Sequence, residues 1–264
     1  MAKSSKRAST LPAPYLRRVW LDQERVEDAT AYPFCIPLFK DGLEIEFKDP
    51  ITIFVGENGV GKSTVIEGIA SLAGFDDAGG GNGYRPVDHS TSIEASGGEL
   101  AKALRAAWLP KVTQGWFFKA ETFFSVARYL DDAARYANSG GPPAPDFLSH
   151  SHGEGFMRFF EERCSRQGVY FFDEPESALS PARQLEFLKL LRRMDDSNIC
   201  QVIMATHSPI LMAYPGAQLL LLTKYGIEPV RLEDTDHFRL MREFCGDPEV
   251  FVATVLAGGD VTST

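Results

Sequence analysis

Three short stretches of the 264-residue chain carry residue types whose spacing could do chemistry. The run Gly56-Glu57-Asn58-Gly59-Val60-Gly61-Lys62-Ser63-Thr64 matches the pattern G-x-x-x-x-G-K-S/T in full. Its glycines at 56, 59 and 61 can take the backbone angles that turn N–H groups inward around phosphate oxygens. Lys62 is then expected to reach the β- and γ-phosphates of a nucleotide, and the Ser63 hydroxyl to ligate Mg²⁺. The second stretch is Asp173-Glu174, two adjacent carboxylates. Asp173 is suited to hold Mg²⁺ through water, and Glu174 to polarise a water that attacks the γ-phosphate. The third is Thr206-His207-Ser208-Pro209, in which His207 is expected to reach the same γ-phosphate.

These groups need elements that bring them together. Ile51 to Val55 is an apolar run that reads as a buried strand, and Val65, Ile66 and Ile69 start an amphipathic helix after the glycine loop. Val169 to Phe172 and Ile199 to Ala205 are apolar runs that read as central parallel strands. An open α/β sheet binds ligands outside the carboxyl ends of its strands, so the residues that follow these runs share one crevice. Between them, Ser180 and Pro181 open a helix that runs to Met194. Upstream, Leu16 to Leu21 and Leu43 to Phe47 read as edge strands that pair with each other. Among the aromatics Tyr32, Phe34 and Phe39, one could stack on a nucleotide base, although the general burial preference favours packing for any single one. Gly79 to Gly83 reads as a loop, Glu99 to Leu109 has helical spacing, and Trp116 to Phe118 is a short strand before Lys119-Ala120-Glu121. Residues 122–167 read as a helical lobe interrupted by a proline- and glycine-rich loop at 138–145. Leu219 to Leu222 and Pro229 to Leu232 read as late strands, and His237 starts a helix that carries no chemical signal.

Composition narrows the class. With 44% hydrophobic residues, the chain can bury a sizeable interior. Cys35, Cys164, Cys200 and Cys245 stand far apart without a C-x-x-C pair, which argues against a disulfide framework or a zinc site and fits a reducing cytoplasm. No apolar run approaches the ~20 residues needed to cross a bilayer, and the N-terminal residues 1–13 read as a disordered tail without a secretory apolar region. The net charge of -9 counts against nucleic-acid binding through bulk charge, which leaves local contacts such as Lys3, Lys6, Arg7, Arg17 and Arg18.

Taken together, Gly56 to Thr64, Asp173-Glu174, Ser177 to Ser180 and Ala205 to Ser208 resemble the motifs of the ABC-type ATPases, most of all their SMC and RecF-like branch and small stand-alone relatives. The resemblance implies an α/β P-loop NTPase core: a mostly parallel sheet, an antiparallel N-terminal β part and an inserted helical lobe. The whole chain would be one such domain, with core segments 14–121 and 168–264 and the lobe at 122–167. ATP and Mg²⁺ are the implied cofactors. Lys62, Ser63 and Thr64 would bind phosphate and Mg²⁺, Asp173 would be the Walker B carboxylate, Glu174 the catalytic base, His207 the switch histidine and Ser177 to Pro181 a D-loop. The family's second half-site is a serine-glycine-glycine signature opening a helix. Ser96-Gly97-Gly98-Glu99 spells it but lies too soon after the phosphate loop, whereas Ser151-His152-Gly153-Glu154 departs by one residue and precedes a helix at 156–166 leading to Asp173. Ser151, Gly153 and Glu154 are therefore the expected phosphate contacts, a helix N-terminus being suited to that task. For the Q-loop position, Gln114 and Glu121 compete, and Glu121, which follows the strand, is favoured as a metal-facing residue. The implied assembly is a homodimer with two ATP molecules between its copies, with DNA or an effector protein as further partner. The resemblance also admits the energy subunit of a transporter, with a membrane partner, and a nucleotide-gated binding module.

Overall fold

The computed structural model describes residues 11–77, 79–82, 96–120 and 152–259. In chain order its elements are β1 (Leu16–Leu21), β2 (Glu44–Glu46), β3 (Ile51–Val55), α1 (Lys62–Ala73), β4 (Gly80–Gly81), α2 (Ser96–Ala103), β5 (Leu104–Trp108) and β6 (Gly115–Lys119). There follow α3 (His152–Arg163), β7 (Gly168–Asp173), α4 (Pro181–Asp196), β8 (Cys200–Ala205), α5 (Pro209–Met212), β9 (Gln218–Thr223), β10 (Gly226–Pro229), α6 (Asp236–Gly246) and α7 (Pro248–Leu256).

The main sheet has the order β10-β9-β3-β8-β7-β6-β4. From β9 to β6 every neighbouring pair is parallel, and the two edges, β10 and β4, are antiparallel. Every residue of β3, β7 and β8 is buried, as expected of strands covered on both faces. Their side chains sort with a period of two. Phe54, Phe117, Phe171 and Ile203 enter one core with Val65, Ile66 and Ile69 of α1, while Ile53, Val55, Phe118, Phe172 and Met204 enter a second core with Phe160 of α3 and Phe187 of α4. The second core is aromatic: Phe118 stacks on Phe172 with ring centroids 4.8 Å apart, and Phe160 meets Phe118 edge-on at 4.5 Å.

A smaller antiparallel sheet, β2-β1-β5, completes the first core. Here the helical spacing expected over Glu99 to Leu109 gives way halfway. α2 ends at Ala103 and Leu104 turns straight into β5, which pairs with β1 through Leu21 opposite Leu104 and Val19 opposite Ala106. Pairing with β1 outweighs local propensity there. The two sheets are joined by Gln201, a fully buried residue of β8. Its Oε1 accepts from Tyr15 N at 2.9 Å and Leu16 N at 2.8 Å, and its Nε2 donates to Leu16 O at 2.9 Å. Order also begins ahead of Tyr15, where Ala13 N donates to Asn198 O at 3.0 Å.

Other boundaries shift for local reasons. The last strand lies at Gly226–Pro229 and not at 229–232, because Lys224-Tyr225 makes the hairpin turn and Gly226 (φ 140°) starts the return. Within the loop expected at 79–83, Gly80 and Gly81 pair with Phe117 and Trp116 as an edge. The helix expected over 156–166 starts earlier, at His152, and ends at Arg163. A second C-terminal helix, α7, follows α6, and neither buries a residue. Most of the lobe expected at 122–167 falls outside the described residues. No helix among the described residues is long and apolar enough to cross a membrane.

Candidate active site

Because β3, β7 and β8 run parallel and lie side by side in the order β3-β8-β7, their carboxyl ends bring the three stretches of candidate residues to one rim of the sheet. The glycine loop leaves β3 and turns into α1, with Gly56, Gly59 and Gly61 at φ 144°, 77° and 103°. At Gly56 the need is absolute, since a Cβ would fall 2.4 Å from Leu222 O on the neighbouring β9. Lys62, buried at the start of α1, donates from Nζ to Gly56 O at 2.9 Å and Glu57 O at 2.8 Å. Burial pulls its pKa below the ordinary lysine value, against the opposing charges of Glu174 and Asp173. Thr64 Oγ1 lies 3.0 Å from the Tyr32 hydroxyl. Among the upstream aromatics, Phe39 is buried in the first core, whereas Tyr32 stays 50% exposed beside the loop.

Ser63 donates from Oγ to Asp173 Oδ1 at 3.1 Å, joining the start of α1 to the end of β7. The Asp173 carboxyl is pushed up to about 7, first by burial and then by the negative charge of Glu67. Glu67 stands one turn beyond Ser63 on α1 and pairs with Lys119 at 2.5 Å, both nearly buried. Lys119 ends β6, directly opposite Asp173 in the strand register, so a cation stands between two carboxylates. A buried carboxylate with a hydroxyl 3.1 Å away is a donor set that fits a hard divalent cation. Among the described residues no three His, Cys, Asp or Glu side chains gather as a cation site.

Glu174 follows at φ 47°, ψ 53°, a left-handed conformation costly for a residue with a side chain. It is held by its N–H to Ala205 O at 3.0 Å, and by Ser177 Oγ, which donates to Glu174 O at 2.7 Å. The carboxylate, partly open to solvent, lies 3.5 Å from His207 Nε2. The His207 backbone N–H donates to Glu176 Oε1 at 2.5 Å, so the turn after β7 grips the turn after β8. On its far side, His207 Nδ1 is 2.9 Å from Nε2 of His237 on α6. Burial lowers the His207 pKa, helped by the nearby Lys62 charge. A second brace runs from Leu179 O through Gln184, whose Oε1 accepts from Ser208 Oγ at 2.5 Å.

The two serine-glycine stretches part company in the fold. Ser96 to Glu99 opens α2 against α1: a Cβ on Gly97 would fall 2.9 Å from the Glu67 Cβ, and Gly98 N donates to Asp77 Oδ2 at 2.9 Å. Those glycines serve a close helix crossing. Gly153 and Glu154 lie in the first turn of α3, their side chains and Ser151 being outside the described residues. Gln114 sits at the amino end of β6, where its O accepts from Val169 N at 2.8 Å, at the opposite end of the sheet from Lys62. Glu121 lies outside the described residues.

Two family descriptions match the chain in turn, an AAA domain over residues 35–108 and an AAA ATPase domain over residues 152–212. The first takes in the glycine loop, the second Asp173, Glu174 and His207. Both matches are to domains of AAA type. A segment of 56 residues, 21% of this chain, is 39% identical to the OLD nuclease of Thermus scotoductus and spans 11% of that relative. Similar solved structures are the SMC head domain from Thermotoga maritima and cbiO1 from Clostridium perfringens, part of the ABC transporter complex cbiONQ. The former is 17% identical, with 83% of this chain and 100% of that one covered and a TM-score of 0.45. The latter is 16% identical, with 91% and 98% covered and a TM-score of 0.42.

Sequence reasoning missed four residues that the fold brings to the site. Glu67 left a signal, a charge among Val65, Ile66 and Ile69 at one turn from Ser63, and Lys119 left a weaker one at the end of an apolar strand. Glu176 and His237 left none, because their partner His207 is 31 and 30 residues away.

Proposed function

We propose that this chain binds ATP and a divalent cation at residues 56–64 and hydrolyses the terminal phosphate bond. The observation that carries this reading is the convergence of Lys62, Ser63, Asp173, Glu174 and His207 on one rim, tied by the 3.1 Å bond from Ser63 to Asp173. Lys62 and the loop N–H groups hold the β- and γ-phosphates, and Tyr32 is the aromatic open to the base. Ser63 and Asp173 hold Mg²⁺, which neutralises phosphate charge. Glu174 accepts a proton from water as its oxygen bonds to the γ-phosphorus and the bond to the ADP oxygen breaks, and His207 donates to a γ-phosphate oxygen.

The same reading makes the chain a switch. Two copies close head to tail over two nucleotides, each loop facing Ser151, Gly153 and Glu154 at the tip of the other copy's α3, and hydrolysis reopens them. The free N–H groups and partial positive charge of a helix tip support that contact. In the cytoplasm, ATP is then the glue and Glu174 the timer. Glu174→Gln removes the proton acceptor while keeping the shape, so it should accumulate as an ATP- and Mg²⁺-dependent dimer in sedimentation velocity. A monomer under those conditions would end the sandwich idea. The segment shared with a nuclease favours DNA as the load over a membrane partner.

A further inference from the structure

His207 is a neutral-capable ring between two partners, and what it can donate depends on which nitrogen carries its proton. Nδ1 lies 2.9 Å from His237 Nε2, with the rings tilted by 50° and their centroids 5.1 Å apart. Nε2 is buried without a hydrogen-bond partner among the described residues and points toward Glu174 Oε1 at 3.5 Å. One proton lies on the line between the two rings. If His207 supplies it from Nδ1, its Nε2 is a bare lone pair facing a carboxylate. If His237 supplies it from Nε2, His207 keeps Nε2–H and faces that carboxylate as a donor.

The surrounding charge selects the second arrangement. Among the described residues, the Glu174 carboxylate stands 3.5 Å from Nε2 and Glu57 of the glycine loop adds a second acidic charge, with Lys62 as the opposing cation. A polyphosphate at the loop would add more acceptors on the Nε2 side. We propose that His237 is a positioning residue, donating from Nε2 to His207 Nδ1 and so holding His207 as the Nε2–H tautomer directed at Glu174 and the γ-phosphate. The catalytic consequence rests on the ATPase reading above; the tautomer itself does not. His237 reaches this place because Thr235 caps α6 with its Oγ1 accepting from Phe238 N at 3.4 Å, which fixes the first turn beside the turn after β8.

Long-range ¹H–¹⁵N correlation of the full chain without nucleotide, at pH 8, reads the tautomer of each imidazole, with His207→Gln assigning the signal. His207 should show Nε2–H in the wild type and in His237→Gln, whose side-chain amide can still donate, and a larger fraction of Nδ1–H in His237→Phe. In steady-state hydrolysis, His237→Phe should lower kcat by at least about tenfold, the scale of one hydrogen bond to a charged group. KM for ATP should move by less than about twofold, the pattern of an interaction made in the transition state, and His237→Gln should recover most of the rate. A wild type with Nδ1–H on His207 overturns the assignment whether or not any variant folds. So does a Phe variant whose Nδ1–H fraction does not rise, or a Gln variant as slow as Phe. Absence of hydrolysis in a wild type that shows Nε2–H would instead count against the ATPase reading alone.

Discussion

Asp173 is penalised by burial and by the charge of Glu67, and a bound cation is expected to relieve that penalty. Its carboxyl is held near 7 against an ordinary 3.8, so between those values the native state keeps a proton that the unfolded chain gives up. The stability that this carboxyl contributes in the absence of metal is therefore full below about pH 4 and is lost as pH rises through about 7. Asp173→Asn removes the buried charge. It should melt above the wild type at pH 8 and converge with it near pH 4, while MgATP should raise the melting point of the wild type alone; differential scanning fluorimetry across pH reads both. Lys119 limits the penalty without abolishing it, because its nearest carboxylate is Glu67 at 2.5 Å.

At the scale of elements, the site depends on how the two sheets and the helix over them are joined. Gln201 satisfies three backbone groups of Tyr15 and Leu16 in a place closed to water, and is the polar link between β8 and β1. Gln201→Leu strands all three, each worth about 1–3 kcal/mol when buried and unpaired, so a loss of roughly 3 kcal/mol or more is expected in urea unfolding. ATP affinity measured at low denaturant should change little, since Lys62 and Ser63 sit at the other end of the strands. The crossing of α2 on α1 is the companion joint. Its glycine at 97 lets Glu67 stand where it meets Lys119, so the stretch that spells a signature in the sequence supports the Asp173 side of the site.

For the whole molecule, the question is what the cycle moves. A net charge of -9 gives no general attraction to nucleic acid, so a DNA response would need local contacts. If DNA is the load, linear duplex should raise ATP turnover at least roughly twofold, with the gain fading between about 50 and 200 mM salt. Unchanged turnover and no shift in a binding assay would remove DNA and leave the hydrolysis reading intact. Local patterns were enough to read β3, the glycine loop, α1, β7, α4 and β8, because each is a run whose period or end signals depend on adjacent residues alone. The turn of Leu104 into β5 was not legible, since β1 imposes it from 83 residues away in the pair Leu21 and Leu104. The sequence by itself determined the class of fold and the residue types of Lys62, Ser63, Asp173, Glu174 and His207, since these follow from short motifs in order. Only the tertiary structure decided that β8 separates β3 from β7, that Lys119 and Glu67 flank Asp173, and that His237 meets His207, because contacts between distant residues are set by packing and strand order and leave no trace in local spacing.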